Sequence, residues 1–282
     1  MKEKTAFIWR TSEERPLEPS AIDNPGAPLL EARGISKYFG AITALDSVSL
    51  TLQRGEVLGV VGDNGAGKST LMKILSGLYP ASAGEILFEG TPVRFNSPRD
   101  ARAVGIEMVY QDLALAGNMP IYENIYLGRE PGRRLGALTF LDRKKSREMA
   151  ANHLDRLKIH VKSVDQPVEE LSGGQQQAVA SGRATAFDAR IVIMDEPTAA
   201  LAVKEVGKVL DLIKSLKDHG VGVILISHRM DDVFYVSDRV MALFHGRNFA
   251  ESQLTSTSRN EVIGWIMGTK GHTASLAHDR VT

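Results

Sequence analysis

The run Gly62-Asp63-Asn64-Gly65-Ala66-Gly67-Lys68-Ser69-Thr70 sits between the apolar stretch Val57-Leu58-Gly59-Val60-Val61 and the helical stretch Leu71-Met72-Lys73-Ile74-Leu75. It fits the pattern G-x-x-x-x-G-K-[ST] at every fixed position, in the strand, glycine loop, helix context that the pattern requires. Glycines let backbone N–H groups turn inward around phosphate oxygens, and the helix start adds a positive dipole end. In such a loop Lys68 reaches the outer phosphates and the Ser69 hydroxyl ligates Mg²⁺. Gly62, Asn64, Gly65, Gly67, Lys68, Ser69 and Thr70 are therefore candidate nucleotide-binding residues.

The rest of the chain extends this α/β reading. Short apolar runs at residues 57–61, 106–110, 191–194, 223–226 and 240–244 have the look of buried parallel strands. Helical patterns lie between several of them, at residues 70–76 and at 203–217, where Val206, Val209, Leu210, Ile213 and Leu216 recur at helical spacing. Residues 29–31, 48–53 and 85–89 read as short strands near the start. The segment 112–190 shows no clear strand. In it Asp142 precedes a helix over 143–157 with Met149, His153, Leu154 and Leu157 on one face, and a second helix begins at Ser172-Gly173-Gly174. It reads as a helical subdomain inserted in an α/β core with a mostly parallel sheet.

Composition narrows the function classes. Lys+Arg and Asp+Glu number 34 each, so no net basic field favours nucleic acid, and no nucleic-acid partner is expected. There are no cysteines, which excludes disulfides, thiolate metal sites and cysteine nucleophiles. No apolar stretch approaches the roughly 18–20 residues of a membrane helix. Residues 1–28 lack a signal peptide's apolar core and, with four prolines among scattered charges, read as a flexible extension; residues 268–282 read as a flexible tail.

Two further motifs carry chemistry. The strand Ile191-Val192-Ile193-Met194 ends in Asp195-Glu196. Neighbouring strand residues point to opposite sides, so the two acids can differ in role. In a phosphate-loop enzyme the first holds the Mg²⁺ shell and the second polarises the attacking water. Leu171-Ser172-Gly173-Gly174-Gln175 opens a helix and offers a hydroxyl and backbone N–H groups to an anion, although Ser and Gly also suit a plain cap. The dinucleotide fingerprint G-x-G-x-x-G fails at Thr70, and no Gly-x-Ser-x-Gly elbow surrounds Ser227-His228.

Phosphate loop, Leu-Ser-Gly-Gly-Gln, then apolar strand with Asp-Glu, in that order, resemble an ATP-binding cassette (ABC) ATPase over residues 29–251. The resemblance implies an ABC ATPase domain over 29–267 with a P-loop NTPase (RecA-like) core, an N-terminal antiparallel β subdomain and an inserted helical signature subdomain at about 112–190. It implies a Mg-dependent ATPase using ATP and Mg²⁺. Gln111 matches the Q-loop glutamine that touches Mg²⁺ and the water, and whose loop senses a membrane partner. Phe39 sits where the family stacks an aromatic on adenine, with Tyr38 the less favoured occupant, and His228 matches the switch histidine at the γ-phosphate. Glu196, His228, Lys68 and Gln111 are then the catalytic set; Ser69, Gln111 and Asp195 the metal set; and Phe39, Ser172, Gly173, Gly174 and Gln175 join the nucleotide-binding set. One copy of each motif implies a dimer, most simply a homodimer, with each ATP sandwiched between one subunit's loop and the other's signature.

The text around Tyr110-Gln111-Asp112, Ile121-Tyr122-Glu123-Asn124-Ile125 and Ser227-His228-Arg229-Met230-Asp231-Asp232 resembles the ribose/xylose/fructose-type sugar importers, as a single-cassette member. That implies a peripheral subunit at the cytoplasmic face of the inner membrane. Its partners would be permease subunits docking near the Gln111 loop and, indirectly, a sugar-binding protein. Import or export of another solute, a soluble ABC ATPase acting on ribosomes or DNA, and a regulatory module without turnover stay open. Three positions depart from the common pattern: Ala202 replaces a frequent aspartate, Ala178 a frequent arginine, and Gly182 interrupts the signature helix at a cost of about 1 kcal/mol relative to Ala.

Overall fold

Two sheets meet over the strand that feeds the glycine loop. A computed structural model describes residues 27–110, 112–135, 138–199 and 201–269. Most of the expected N-terminal extension and C-terminal tail, together with Gln111, lie outside the described residues.

β1 (Leu30–Phe39) and β2 (Ile42–Leu52) form an antiparallel hairpin running from the Leu30–Leu52 pair to the Phe39–Ile42 pair. Both are longer than the sequence patterns suggest. Register shifts between Ala32 and Tyr38 break the alternation that marks a strand. β3 (Val57–Val61) is buried at every residue and leads through the glycine loop into α1 (Lys68–Leu75). β4 (Ala83–Phe88) and β5 (Thr91–Val93) complete the first sheet, in the order β2-β1-β4-β5. α2 (Pro98–Ala103), opened by a Ser97–Asp100 capping box, precedes β6 (Ile106–Val109).

Next come α3 (Ile121–Tyr126), a hairpin of β7 (Gly132–Leu135) and β8 (Leu138–Leu141), α4 (Arg143–Arg156) and α5 (Gly173–Thr185). The hairpin corrects the expectation of a strand-free segment; its strands are only four residues each and lack alternation. Asp142 caps α4 by accepting from Lys145 N at 3.0 Å. Met149 is exposed rather than on the buried face; Ala150, one position on, packs inward with Leu154. Gly182 lies against α4: a Cβ there would be 3.1 Å from Leu154 Cδ2. Its carbonyl accepts from His153 Nε2 at 2.8 Å. The glycine thus meets α4 closely, which explains a residue unfavourable to its own helix.

β9 (Ile191–Asp195), α6 (Val203–Asp218), β10 (Gly222–Ile226), α7 (Met230–Val236), β11 (Arg239–Phe244), β12 (Arg247–Gln253) and α8 (Arg259–Ile266) close the fold. The second sheet has the order β12-β11-β3-β10-β9-β6. Its neighbours are parallel except β12 on β11. Leu58 and Val60 pack with Leu71, Ile74 and the first sheet, while Val57, Val192 and Val223 pack with Val179, Val209 and Ile213. Alternate residues of a two-sided strand therefore serve two cores. Ile226 pairs with both Val60 and Asp195, so the loop after β3, the acids after β9 and the histidine after β10 emerge together at the carboxyl edge. Among the described residues no helix is long and apolar enough to cross a membrane.

Candidate active site

The glycine loop is shaped by backbone that side chains could not follow. Gly62 has φ 150°, and a Cβ there would lie 2.4 Å from Leu243 O; Gly67 has φ 100°, with Leu45 Cδ2 at 2.7 Å and Ala44 O at 2.8 Å from the same position. Neither site admits L-alanine without rebuilding the loop. Gly67 is the N-cap of α1, whose first N–H groups have no partner within the helix and no side-chain cap. Lys68 Nζ donates to Gly62 O at 2.7 Å and Asp63 O at 3.0 Å, which folds the ammonium back across the loop. Burial lowers its pKa, while Glu196, Asp195 and Asp63 oppose that shift.

The two acids do diverge. The Asp195 carboxylate lies beside the Ser69 hydroxyl. Burial first, and then Glu196, push its pKa up, against Lys68, Lys73 and the Ser69 hydroxyl. Glu196 turns away in the left-handed region, at φ 51°, held by its N–H to Ile226 O at 2.9 Å. A non-glycine residue in that region is strained, and such strain concentrates at functional sites. The turn brings Glu196 Oε2 to 2.8 Å from His228 Nδ1 and 3.4 Å from His228 N.

Gly62, Asp63, Asn64, Lys68, Glu196, Ala199, His228 and Ile266 line one cleft of about 490 Å³. That volume lies within the roughly 300–1,000 Å³ of small-molecule sites. Among the described residues no group of three or more His, Cys, Asp or Glu could cage a metal. Ser69 Oγ and an Asp195 oxygen nevertheless form a pair of hard oxygen donors beside the loop. Mg²⁺ is typically held by one or two protein oxygens, the remainder coming from phosphate and water, so this donor set fits it.

Ser172, Gly173, Gly174 and Gln175 stand apart from this cleft, at the N-terminus of α5. Ser172 and Gln175 form a capping box: Ser172 Oγ accepts from Gln175 N at 3.4 Å, and Gln175 Oε1 accepts from Ser172 N at 3.2 Å. Phe39 ends β1, half-exposed and edge-on to Tyr79 with ring centroids 5.6 Å apart; it is outside the cleft lining, and Tyr38 is exposed beside it. Gln111 lies outside the described residues.

Sequence reasoning passed over a support beneath the cleft. Asp232, in α7, is 2 % exposed, accepts from Thr198 Oγ1, and pairs with Arg229 at 3.5 Å. One buried carboxylate therefore ties the segment after Glu196 to the segment after His228. Its only sequence signal is Thr198 and Asp232, each a few residues beyond a motif. Ile266, from α8, reaches the cleft with no local signal at all.

Comparison with known proteins agrees with this geometry. A family model described as ABC transporter matches residues 45–199. A xylose/arabinose import ATP-binding protein of Sulfolobus acidocaldarius is 47% identical, over 83% of this chain and 92% of that protein. A fructose import ATP-binding protein of Rhizobium meliloti is 44% identical, over 86% and 95%. A putative ribose/galactose/methyl galactoside import ATP-binding protein of Burkholderia cenocepacia is 40% identical over 89% of this chain, which spans 49% of that longer relative. Among solved structures, a nucleotide-free ATP-binding cassette from an ABC transporter aligns with TM-score 0.72 at 30% identity, over 80% of this chain and 91% of that one. A dimeric cassette bound to ADP and phosphate aligns with TM-score 0.66 at 26% identity, over 80% and 98%. A phosphate-loop site with paired acids and a facing histidine, on a fold shared with these cassettes, places the chain in the ABC transporter family, among its ATP-hydrolysing cassettes.

Proposed function

We propose that this chain is the ATP-hydrolysing subunit of an importer that draws a monosaccharide through a separate membrane permease. The observation that carries the catalytic half is the Glu196 carboxylate, turned by its left-handed backbone to within 2.8 Å of His228 Nδ1 at the edge of the Lys68 cleft. The sugar half rests on the xylose/arabinose and fructose import relatives, whose lengths the chain covers almost fully.

In this reading Gly62, Asn64, Gly65, Gly67, Ser69 and Thr70 wrap the phosphates of ATP, and Phe39 packs on the adenine. Lys68 exchanges its loop carbonyls for β- and γ-phosphate oxygens. Glu196 orients a water and accepts its proton as the water oxygen attacks the γ-phosphorus. The bond to the β-phosphate oxygen breaks, leaving ADP and phosphate. His228 holds the Glu196 carboxylate in place and contacts the γ-phosphate. Ser69 and Asp195 would hold Mg²⁺, with Gln111 as a further ligand; the ion supplies charge neutralisation of the phosphate oxygens.

Ser172, Gly173, Gly174 and Gln175 face the nucleotide of a second, identical subunit, so that ATP closes the dimer and hydrolysis reopens it. A dimeric cassette bound to ADP and phosphate supports the pairing of two such subunits. The subunit works at the cytoplasmic face of the membrane, bound to permease subunits and, through them, to a sugar-binding protein. Glu196→Gln tests the catalytic assignment: Mg-ATP should accumulate in a dimer with little turnover. Near-normal hydrolysis by that variant would remove Glu196 from its role.

A further inference from the structure

The signature turn already holds an anion of its own. The carboxylate of Glu205, in the first turn of α6, lies against this turn beside the Ser172 hydroxyl, its Oε2 3.8 Å from where a Cβ on Gly173 would stand. The Gly174 and Ala202 N–H groups face the same carboxylate. The Ser172 hydroxyl above all, with these amides and Lys208, holds Glu205 below the usual carboxylate range, partial desolvation acting the other way.

The backbone is built around this contact. A Cβ on Gly174 would lie 2.6 Å from Glu205 Cβ and 3.1 Å from its Cγ and Cδ. Only glycine at 174 lets α6 lay its first turn against the start of α5. Ala202 is the N-cap of α6 and offers no side-chain acceptor. Glu205, three residues on, therefore supplies one half of a capping box whose other half is missing, and its spare acceptor capacity turns to the signature.

Ser172 O–H and Gly174 N–H are donors that the sandwich reading above assigns to the partner's nucleotide. They cannot serve both anions at once. We infer that Glu205 is a positioning residue of the signature turn: it holds these donors in the separate subunit and yields them to the γ-phosphate as the dimer closes, so that its charge opposes closure. The inference rests on that sandwich reading.

The sign of one substitution tests it. In full-length protein carrying Glu196→Gln, sedimentation velocity at saturating Mg-ATP gives the protein concentration of half-dimerisation, and Glu205→Gln and Glu205→Asp are compared with that parent. Gln keeps the shape and loses the charge; Asp keeps the charge and loses the reach. Gln, which removes the opposing charge, should let the protein dimerise at about fivefold to tenfold lower concentration, and Asp, which keeps the charge but weakens the contact, should give a smaller gain in the same direction. Mg-ATP affinity of the dilute monomer should stay unchanged. Unchanged or weaker dimerisation in both variants would mean that Glu205 only braces the turn, and would overturn the inference alone. A parent that forms no Mg-ATP-dependent dimer would overturn the sandwich reading, and the inference with it.

Discussion

His228 Nδ1 lies 2.8 Å from Glu196 Oε2, although 32 positions separate the two residues. The parallel register of β9 with β10 brings them together, and the left-handed backbone of Glu196 aims its carboxylate across the gap. Glu196 is mostly buried, at 14 % side-chain exposure, while His228 is 67 % exposed. The histidine therefore stands at the solvent side of the acid, where a γ-phosphate would enter. Replacing His228 by Ala should lower kcat by about 10²-fold, the scale on which a displaced catalytic group loses rate. KM for ATP should change little, because the phosphate loop is intact. Steady-state phosphate release over a range of ATP concentrations separates the two parameters.

Asp232 should matter to rate more than to nucleotide binding. It accepts from Thr198 Oγ1 and pairs with Arg229, so it sets the spacing of the two segments that carry Glu196 and His228. Asp232→Ala should reduce kcat roughly tenfold or more, as small displacements of catalytic groups do. Thr198→Val should act in the same direction, and Asp232→Asn should recover part of the loss. A double-mutant cycle on kcat measures the coupling of Thr198 with Asp232.

The junction between the two sheets depends on Arg239. Its Nε reaches Glu56 Oε1 at 2.8 Å and its Nη2 reaches Thr51 O at 2.6 Å, and it also pairs with Glu251. The Arg239 and Glu56 side chains are only 11 % and 10 % exposed. Arg239→Ala strands the Glu56 carboxylate, and breaking a buried pair in this way costs about 3–5 kcal/mol. At roughly 2–4 °C per kcal/mol for a domain of this size, Tm should fall by about 6–20 °C. Differential scanning calorimetry measures this directly.

His153 gives the fold a dependence on pH. Burial, with some help from Arg156, lowers its pKa from 6.5, against the Gly182 carbonyl that holds its N–H. The unfolded chain therefore takes up a proton that the folded chain refuses. Stability from this group is complete above about pH 6.5. It is lost progressively as pH falls from there toward the depressed folded value. His153→Gln removes the titration, so its Tm should decline less between pH 7 and pH 5.5 than that of the parent. Parallel declines would mean that other groups set the acid sensitivity.

The parts of the site that were legible are those whose chemistry is written in consecutive residues. Gly62 to Thr70 is strand exit, loop and helix cap in one stretch, and Asp195-Glu196 and Ser227-His228 each end an apolar run. Helix α6 was equally plain, because Val206, Val209, Leu210, Ile213 and Leu216 repeat at helical spacing and all are buried. What stayed hidden depends on contacts distant in sequence. The Thr198–Asp232 bond spans 34 positions, and Ile266 comes to the cleft from the last described helix. The β7–β8 hairpin was missed because such short strands stand on pairing rather than pattern. Met149 was misplaced by one position because a single helical step moves a residue about 100° around the axis.

A cassette that drives a sugar permease should be recovered with it. Affinity purification of the chain from gently solubilised membranes of its own cell, followed by identification of whatever accompanies it, makes that measurement. Recovery of a polytopic permease together with a sugar-binding protein is the predicted result. Recovery of ribosomes, nucleic acid or only soluble partners would contradict it.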